Sequence, residues 1–504
     1  MEPGKAAPAD PGAVTTGIDR QVWRVVAVIV LGAVMSVLDT TIVNVALETL
    51  ARDLHSRLAD TQWVVTAYLL ALGAVIPLTV WISRRFGTRR VYLASIATFT
   101  LGSVLCGLAT STGELVMFRV IQGVGGGLIL PVGQTILVRA SGPRNLAKVM
   151  SAFSVPVLLS PVLGPLIGGL LVDDVGWRWI FYVNVPIGVI AVIAALRILP
   201  DDRPEAAGRI DLLGLVLVAG GLVSLTYGLA QAGGSGSAWT HVGIPVGGGA
   251  LLVTAFVVRA LRIEKPLLDV RLYATGVFSA ASLTMFTVGA ALFGSLILLP
   301  LYFQTVRGEN ALGAGLLMAP RGLGAVAASL VAGWMVDRAG SGPTAVTGAV
   351  ISLVSTIPYV QMGAHTSYSY ICGAMAVQGF GMGLTFPPVS TAAYRALRHD
   401  QFGDASPQLN IIQRVGASVG TAILIVVLQQ HLDRAGASSS GQAAAFGYTF
   451  RWVLAAAVTG VAATVALLVT ERRSRRADRG PATGEMAIDI IETGSVRPQG
   501  EMSG

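Results

Sequence analysis

Apolar stretches of about 20 residues recur along the whole chain, which is the length an α-helix needs to cross the hydrocarbon of a bilayer. Fourteen of them start near residues 25, 62, 91, 114, 149, 178, 211, 241, 276, 311, 343, 368, 408 and 451. Only 12% of the 504 residues are charged, about half the share usual in soluble domains. The expected fold is an all-α polytopic membrane protein with 14 transmembrane helices. A β-barrel would need alternating segments of about ten residues, and the sequence has none.

Loop charge sets the orientation. Loops after even-numbered helices are basic, as in "RRFGTRR" (84–90), "RASGPRNLAK" (139–148), "RPEAAGR" (203–209) and "RALRIEKPLLDVR" (259–271). Loops after odd-numbered helices are mostly poor in Lys and Arg, as in "STGE" (111–114) and "GAHTSYS" (363–369). The positive-inside bias puts both termini in the cytoplasm. The formal charge of +8 follows from topology, since the basic residues are split among loops. No nucleic-acid partner is expected, because they do not line one face. The polar first 20 residues carry no cleavable signal. A composition heavy in Ala, Gly, Val and Arg with three lysines points to a bacterium with GC-rich DNA. The expected location is therefore the bacterial cytoplasmic (inner) membrane.

Several chemistries are unsupported. The sequence has no Walker A loop and no zinc or nucleophile-elbow motif, so no bound nucleotide, metal, cofactor or enzymatic activity is expected. Cys106 and Cys372 fall in predicted helices far apart in sequence and read as small buried hydrophobes. All five histidines lie in loops or at helix ends, leaving intramembrane proton chemistry to other groups.

The chain repeats itself. "RVIQGVGGGLILPVGQTILVRA" (119–140) matches "MAVQGFGMGLTFPPVSTAAYRA" (375–396) at nine ungapped positions, 256 residues on. "VWISRRFG" (80–87) matches "GWMVDRAG" (333–340) at an offset of 253. The expected organisation is a cytoplasmic tail (1–22), a six-helix bundle (23–200), an inserted helix pair (201–272), a second six-helix bundle (273–471) and a disordered cytoplasmic tail (472–504).

On these residues the chain resembles the major facilitator superfamily, in its fourteen-helix drug:proton antiporter branch. "LDTTIVNVAL" (38–47) is similar to the first-helix motif, "RFGTRR" (85–90) to the loop motif and "RVIQGVGGG" (119–127) to the fourth-helix motif. "LGPLIGG" (163–169) is similar to the fifth-helix antiporter motif, and "WRWIFYVNVPIG" (177–188) and "LPLYFQTVRG" (299–308) fit as well. The resemblance covers about 25–470 and implies a multidrug efflux transporter. Two positions depart from the loop motif, Val80 for Gly and Arg84 for Asp, whereas the second copy keeps Gly333 and Asp337. Glu48 stands where the first-helix motif commonly ends in Pro.

Asp39 is the acid that interrupts the first apolar run. A carboxylate at the centre of a membrane helix costs roughly 2.5–3.5 kcal/mol on the gentler scales. Asp39 should lie about eight residues, or roughly 12 Å, below the outer end of its helix, and Arg119 about five residues, or roughly 8 Å. Pairing at similar depth offsets the desolvation of both. Burial favours the neutral carboxyl and a nearby cation the charged one, so a conformational change can switch its protonation. Asp39 and Arg119 are the proton-coupling candidates. A static ion pair that fixes packing is the alternative reading.

Gly164, Pro165, Gly168 and Gly169 form the antiporter-motif candidates, on a helix kinked by prolines. The cytoplasmic-gate candidates are Arg85, Gly87, Arg89, Arg90, Asp337 and Arg338. The loop arginines suit helix C-termini and equally serve as orientation signals. The substrate-cavity candidates are Trp63, Gln122, Phe153, Phe286, Phe293, Met318 and Arg414, with Arg321 beside them. Aromatics around a carboxylate suit lipophilic, often cationic drugs, while the two arginines disfavour strongly cationic ones.

The expected function is proton-coupled antiport by alternating access, exporting hydrophobic or amphipathic compounds as protonation of Asp39 displaces cargo. The partners are lipophilic small molecules, protons and the bilayer. Export of an endogenous lipid, siderophore or metabolite, or a non-transporting sensor, are the other readings.

Overall fold

The computed structural model describes residues 18–477, apart from 203, 205–207, 233–238, 399–400 and 437. Most of both expected tails therefore lies outside the described residues. The described ends of both tails are helical, with helix from Arg20 and again up to Ala477. Among the described residues there are helices and no strands.

The N-terminal helices are α1 (Arg20–Val45), α2 (Trp63–Phe86), α3 (Thr88–Leu108), α4 (Thr112–Gly142), α5 (Arg144–Pro161, continuing after a bend as Leu163–Asp174) and α6 (Trp179–Ile198). Next come α7 (Leu212–Gln231) and α8 (Trp239–Arg262). The C-terminal helices are α9 (Gly276–Thr305), α10 (Leu312–Ala339), α11 (Ser341–Val360), α12 (Tyr368–Arg395), α13 (Phe402–Ala435) and α14 (Ser439–Ala477). Of the described helices, 12 are long and apolar enough to cross a membrane, or 13 if the bent α5 is one span. The expected count of 14 differs through α12, a 28-residue helix whose glycines, Gln378, Pro387 and Pro388 dilute its apolar surface.

Local chemistry fixes the boundaries. Asp19 caps α1 by accepting from Gln21 N at 3.0 Å. Ser111 caps α4 by accepting from Glu114 N at 3.3 Å, and the Glu114 carboxylate reaches back to Thr110 N, one residue before the cap, at 2.9 Å. Gly87 (φ 88°) turns α2 into α3, and Gly340 (φ 94°), 253 residues on, turns α10 into α11. Both occupy backbone space that disfavours any side chain.

The repeat also governs packing. A Cβ on Gly125 of α4 would lie 2.7 Å from the Ser95 carbonyl of α3. At the matching site, a Cβ on Gly381 of α12 would lie 2.7 Å from the Gly348 carbonyl of α11. Each copy thus brings two backbones together over a bare glycine. The largest core cluster joins the halves, running from Val25 and Phe153 to Phe278 and Tyr394. The α7–α8 pair packs through Val218, Leu222 and Phe256 against Val80, and turns Ile244 and Leu251 outward. Helix α7 touches both α2 and α13.

Candidate functional site

Asp39 lies at the centre of a closed polar cluster among α1, α3, α4 and α6. Its Oδ2 accepts from Arg119 Nη1 at 2.6 Å, and its Oδ1 from Gln122 Nε2 at 2.9 Å and Asn184 Nδ2 at 3.3 Å. Gln122 and Asn184 also donate to Ser103 Oγ, at 2.7 and 3.2 Å. Arg119 Nε donates to the Val64 carbonyl at 3.1 Å, and its guanidinium stacks 4.0 Å over the Tyr68 ring. Asp39 and Arg119 are both 0% exposed. Arg119 and Gln122 reach the same carboxylate because three residues along a helix share a face. A pair this deep is tolerable only when hydrogen bonds meet most of its lone pairs and protons, as they do here. Ser103 and Asn184 went unnoticed in the sequence, although Asn184 lies inside the quoted "WRWIFYVNVPIG" and a polar residue in an apolar helix is the available signal.

A cavity of about 150 Å³ lies between the two sets of helices. Its wall includes Thr40 of α1, Gln134 of α4, Phe153 of α5, Phe293 of α9, Arg321 of α10, and Asn410 and Arg414 of α13. Asp39 and Arg119 are not in that wall. Consecutive helical residues point about 100° apart, so α1 gives Thr40 to the cavity and Asp39 to the bundle interior. The expected contact between this acid and cargo is therefore not made. The cavity wall contains no Asp or Glu among the described residues, which removes the carboxylate that a preference for cationic drugs relied on.

Of the other expected cavity residues, Phe153, Phe293 and Arg414 line the wall. Gln122 belongs to the Asp39 cluster. Trp63 is half-exposed and stacks on Tyr227 of α7, ring centroids 5.9 Å apart. Met318 packs in an apolar cluster with Tyr302 and Phe446. Phe286 lies where α9 crosses α13, its carbonyl facing Gly416, outside the cavity wall. Gln134, Asn410 and Gln413 supply polar wall that sequence reading missed.

On the face that carries the basic loops, polar contacts bind the halves together. Arg84 of α2 donates to Asp404 of α13 at 2.5 Å, and Lys148 of α5 lies 3.2 Å from Asp337 of α10. Gln134 Oε1 accepts from Asn410 Nδ2 at 2.9 Å and from Ser406 Oγ at 3.0 Å. Arg84, standing where the loop motif carries an acid, thus finds its carboxylate in the opposite half. Gly87 and Arg89 instead meet the end of α6 and the segment that follows it, and Arg338 meets a residue of its own helix. Gly87 lets the Thr88 and Arg89 N–H groups turn onto Asp202, and the Arg89 side chain donates to Asp201 and the Leu196 carbonyl at the end of α6. Arg338 stacks 4.4 Å over Trp334, and Arg85 and Arg90 are exposed.

The antiporter-motif helix bends by 43° between Pro161 and Leu163. Gly164 and Gly168 face α1, where added Cβ atoms would meet Thr41 Oγ1 at 2.0 Å and the Ile42 carbonyl at 3.0 Å. Pro165 faces Gly315 of α10, while a Cβ on Gly169 would meet nothing within 4 Å. Helix α5 therefore wedges between α1 and the C-terminal half.

The Major Facilitator Superfamily model matches residues 29–421. The chain belongs to this superfamily. Several proteins resemble it over most of its length. It is 39% identical over 416 residues to the "Multidrug resistance protein B homolog" of Mycobacterium tuberculosis, covering 82% of this chain and 77% of that one. It is 30% identical over 453 residues to the "Putative multidrug resistance protein MdtD" of Salmonella heidelberg, covering 88% and 93%. Among solved structures, the superfamily proton:xylose symporter XylE aligns with a TM-score of 0.61 at 14% identity, covering 88% of this chain and 94% of that one. The human organic anion transporter MFSD10 aligns at 0.60 and 14%, covering 87% and 99%. At that identity the likeness is one of fold. The chain is thus a multi-pass membrane transporter of the superfamily, with relatives in bacteria.

Proposed function

We propose that this transporter is a proton-coupled antiporter that exports lipophilic small molecules by alternating access. Two six-helix bundles, 23–200 and 273–471, would rock about the central cavity, with the pair in 201–272 inserted between them. The observation that carries this reading is the fully buried Asp39–Arg119 pair, one helical residue behind the cavity wall. Relatives named for multidrug resistance support the export direction.

By the positive-inside bias the basic loops and both termini lie in the cytoplasm of a bacterial inner membrane. Arg84–Asp404, Lys148–Asp337 and the Gln134 hydrogen bonds then close the cytoplasmic side. Cargo released outward makes way for a proton on Asp39. A neutral Asp39 holds Arg119 less tightly, freeing the guanidinium from the cluster and letting α1 shift with Thr40, its contribution to the wall. The coupling therefore runs through α1 and not through contact between Asp39 and cargo. Return to the inward-facing state rebuilds the pair and releases the proton. At about 150 mV one proton supplies roughly 3.5 kcal/mol, enough for a gradient of a few hundred-fold.

The test is transport of a lipophilic dye by the full chain in proteoliposomes, with and without an imposed pH gradient. Dye accumulation that follows the gradient is the expected result. Equal flux in both conditions would remove proton coupling.

A further inference from the structure

Resting on the reading of the central cavity as the cargo site, we infer that the cargo is anionic, an aromatic or aliphatic body bearing an oxyanion such as a carboxylate, sulfonate or phosphate. The cavity wall carries two guanidiniums, Arg321 and Arg414, and no carboxylate among the described residues. Arg321 is only 4% exposed. Its Nη2 donates to the soft sulfur of Met382 at 3.3 Å, a weak acceptor, and its Nη1 has no hydrogen-bond partner. Neither arginine forms a salt bridge among the described residues.

A guanidinium stays protonated in proteins and does not escape burial by losing its proton. Its charge must therefore be met by something, and the nearby acid is already engaged: Asp39 is satisfied by Arg119, Gln122 and Asn184. The rest of the wall is apolar or neutral. Leu292, Phe293, Phe153 and Phe386 offer surface for a hydrophobic body, and Asn410 and Gln413 add neutral polar groups. The planar fork of an arginine fits an oxyanion with two parallel hydrogen bonds. A cationic ligand would place like charges together in a medium of low dielectric constant. An oxyanion supplies the missing partner, while its body covers the phenylalanines.

The test measures binding to the full chain in lipid nanodiscs, without any gradient, against empty nanodiscs. The probes share aromatic bulk and differ in charge: anilinonaphthalene sulfonate, its neutral parent phenylnaphthylamine, and tetraphenylphosphonium. The wild type should bind the sulfonate at least about tenfold more tightly than the neutral parent, the worth of one charge-assisted hydrogen bond. Arg321→Gln and Arg414→Gln should each lower that sulfonate-to-parent ratio, Arg321→Lys should lower it less, and the phosphonium should gain affinity in the Gln variants. Thermal unfolding of each variant checks folding. If a Gln variant does not fold, the wild-type ranking decides alone. A wild type that prefers the phosphonium, or a ratio unmoved by folded Gln variants, overturns the inference. Because no gradient is present, either result leaves proton coupling to be judged by the proteoliposome flux.

Discussion

In the N-terminal half the buried guanidinium of Arg119 meets Asp39, Gln122, the Val64 carbonyl and the Tyr68 ring, and it does not reach the cavity wall. In the C-terminal half the buried guanidinium of Arg321 lines the cavity, donates to a methionine sulfur and meets no carboxylate among the described residues, and each of the two arginines has one nitrogen without a hydrogen-bond partner. The repeat makes the contrast direct. At an offset of 256, Gln122 corresponds to Gln378 but Arg119 to Met375; at 253, Tyr68 corresponds to Arg321. The second copy carries its cation on the second helix of the half where the first copy carries it on the fourth, and it supplies no acid. Gln378 instead shares hydrogen bonds with Tyr359 and Thr356. One duplicated framework thus carries two electrostatic designs, a neutral pair sealed within a bundle and net positive charge facing a cleft.

Removing each cation in turn separates the two halves by the largest effect. Arg119→Ala leaves a buried carboxylate without its cation, and thermal unfolding should register a loss of about 3–5 kcal/mol. Arg321→Met removes a charge with no acid partner, so the same measurement should give equal or higher stability. Equal losses from both substitutions would erase the distinction.

A smaller effect separates neighbouring glycines of the antiporter motif. Gly164→Ala forces a Cβ to within 2.0 Å of Thr41 Oγ1 and should cost about 1–3 kcal/mol by overpacking. Gly169→Ala meets nothing within 4 Å and should stay within about 0.5 kcal/mol. Unfolding midpoints for the two variants sharpen where α5 locks onto the N-terminal half.

The smallest effect concerns the seam between the halves. The Arg84 side chain is 43% exposed, and a pair of that kind is worth at most about 1 kcal/mol. Arg84→Ala should therefore raise labelling of a Phe386→Cys reporter from the basic-loop side by no more than about fivefold. Arg84→Asp with Asp404→Arg should return labelling toward wild type. No change in either variant would remove this contact from the closing of that face.

Much of the architecture was legible because its signals are local. Apolar runs give helices, and the quoted repeats are direct residue matches whose glycines pack alike in space. Asp39 and Arg119 stood out because charges are rare in such runs. What escaped were properties of direction and of distant partners. Sequence depth put Asp39 near the cavity, yet one residue of helical rotation turns it into the bundle. The partners of Arg84 and Lys148 come from the opposite half, 320 and 189 positions away by residue number, and no local pattern announces them. The aromatic and methionine candidates gave the weakest guide: Met318 packs in an apolar cluster of the C-terminal half, Phe286 lies outside the cavity wall, and Trp63 packs against α7.

In the proposed mechanism Asp39 carries the proton. The full chain and its Asp39→Asn variant, reconstituted in proteoliposomes, should be compared for two activities: gradient-driven accumulation of a dye, and its gradient-free exchange across the membrane. Asparagine keeps the shape of the side chain and cannot ionise, so the variant should still exchange dye and should lose accumulation. An Asp39→Asn protein that accumulates dye under the gradient as the wild type does would show that the proton travels by another group.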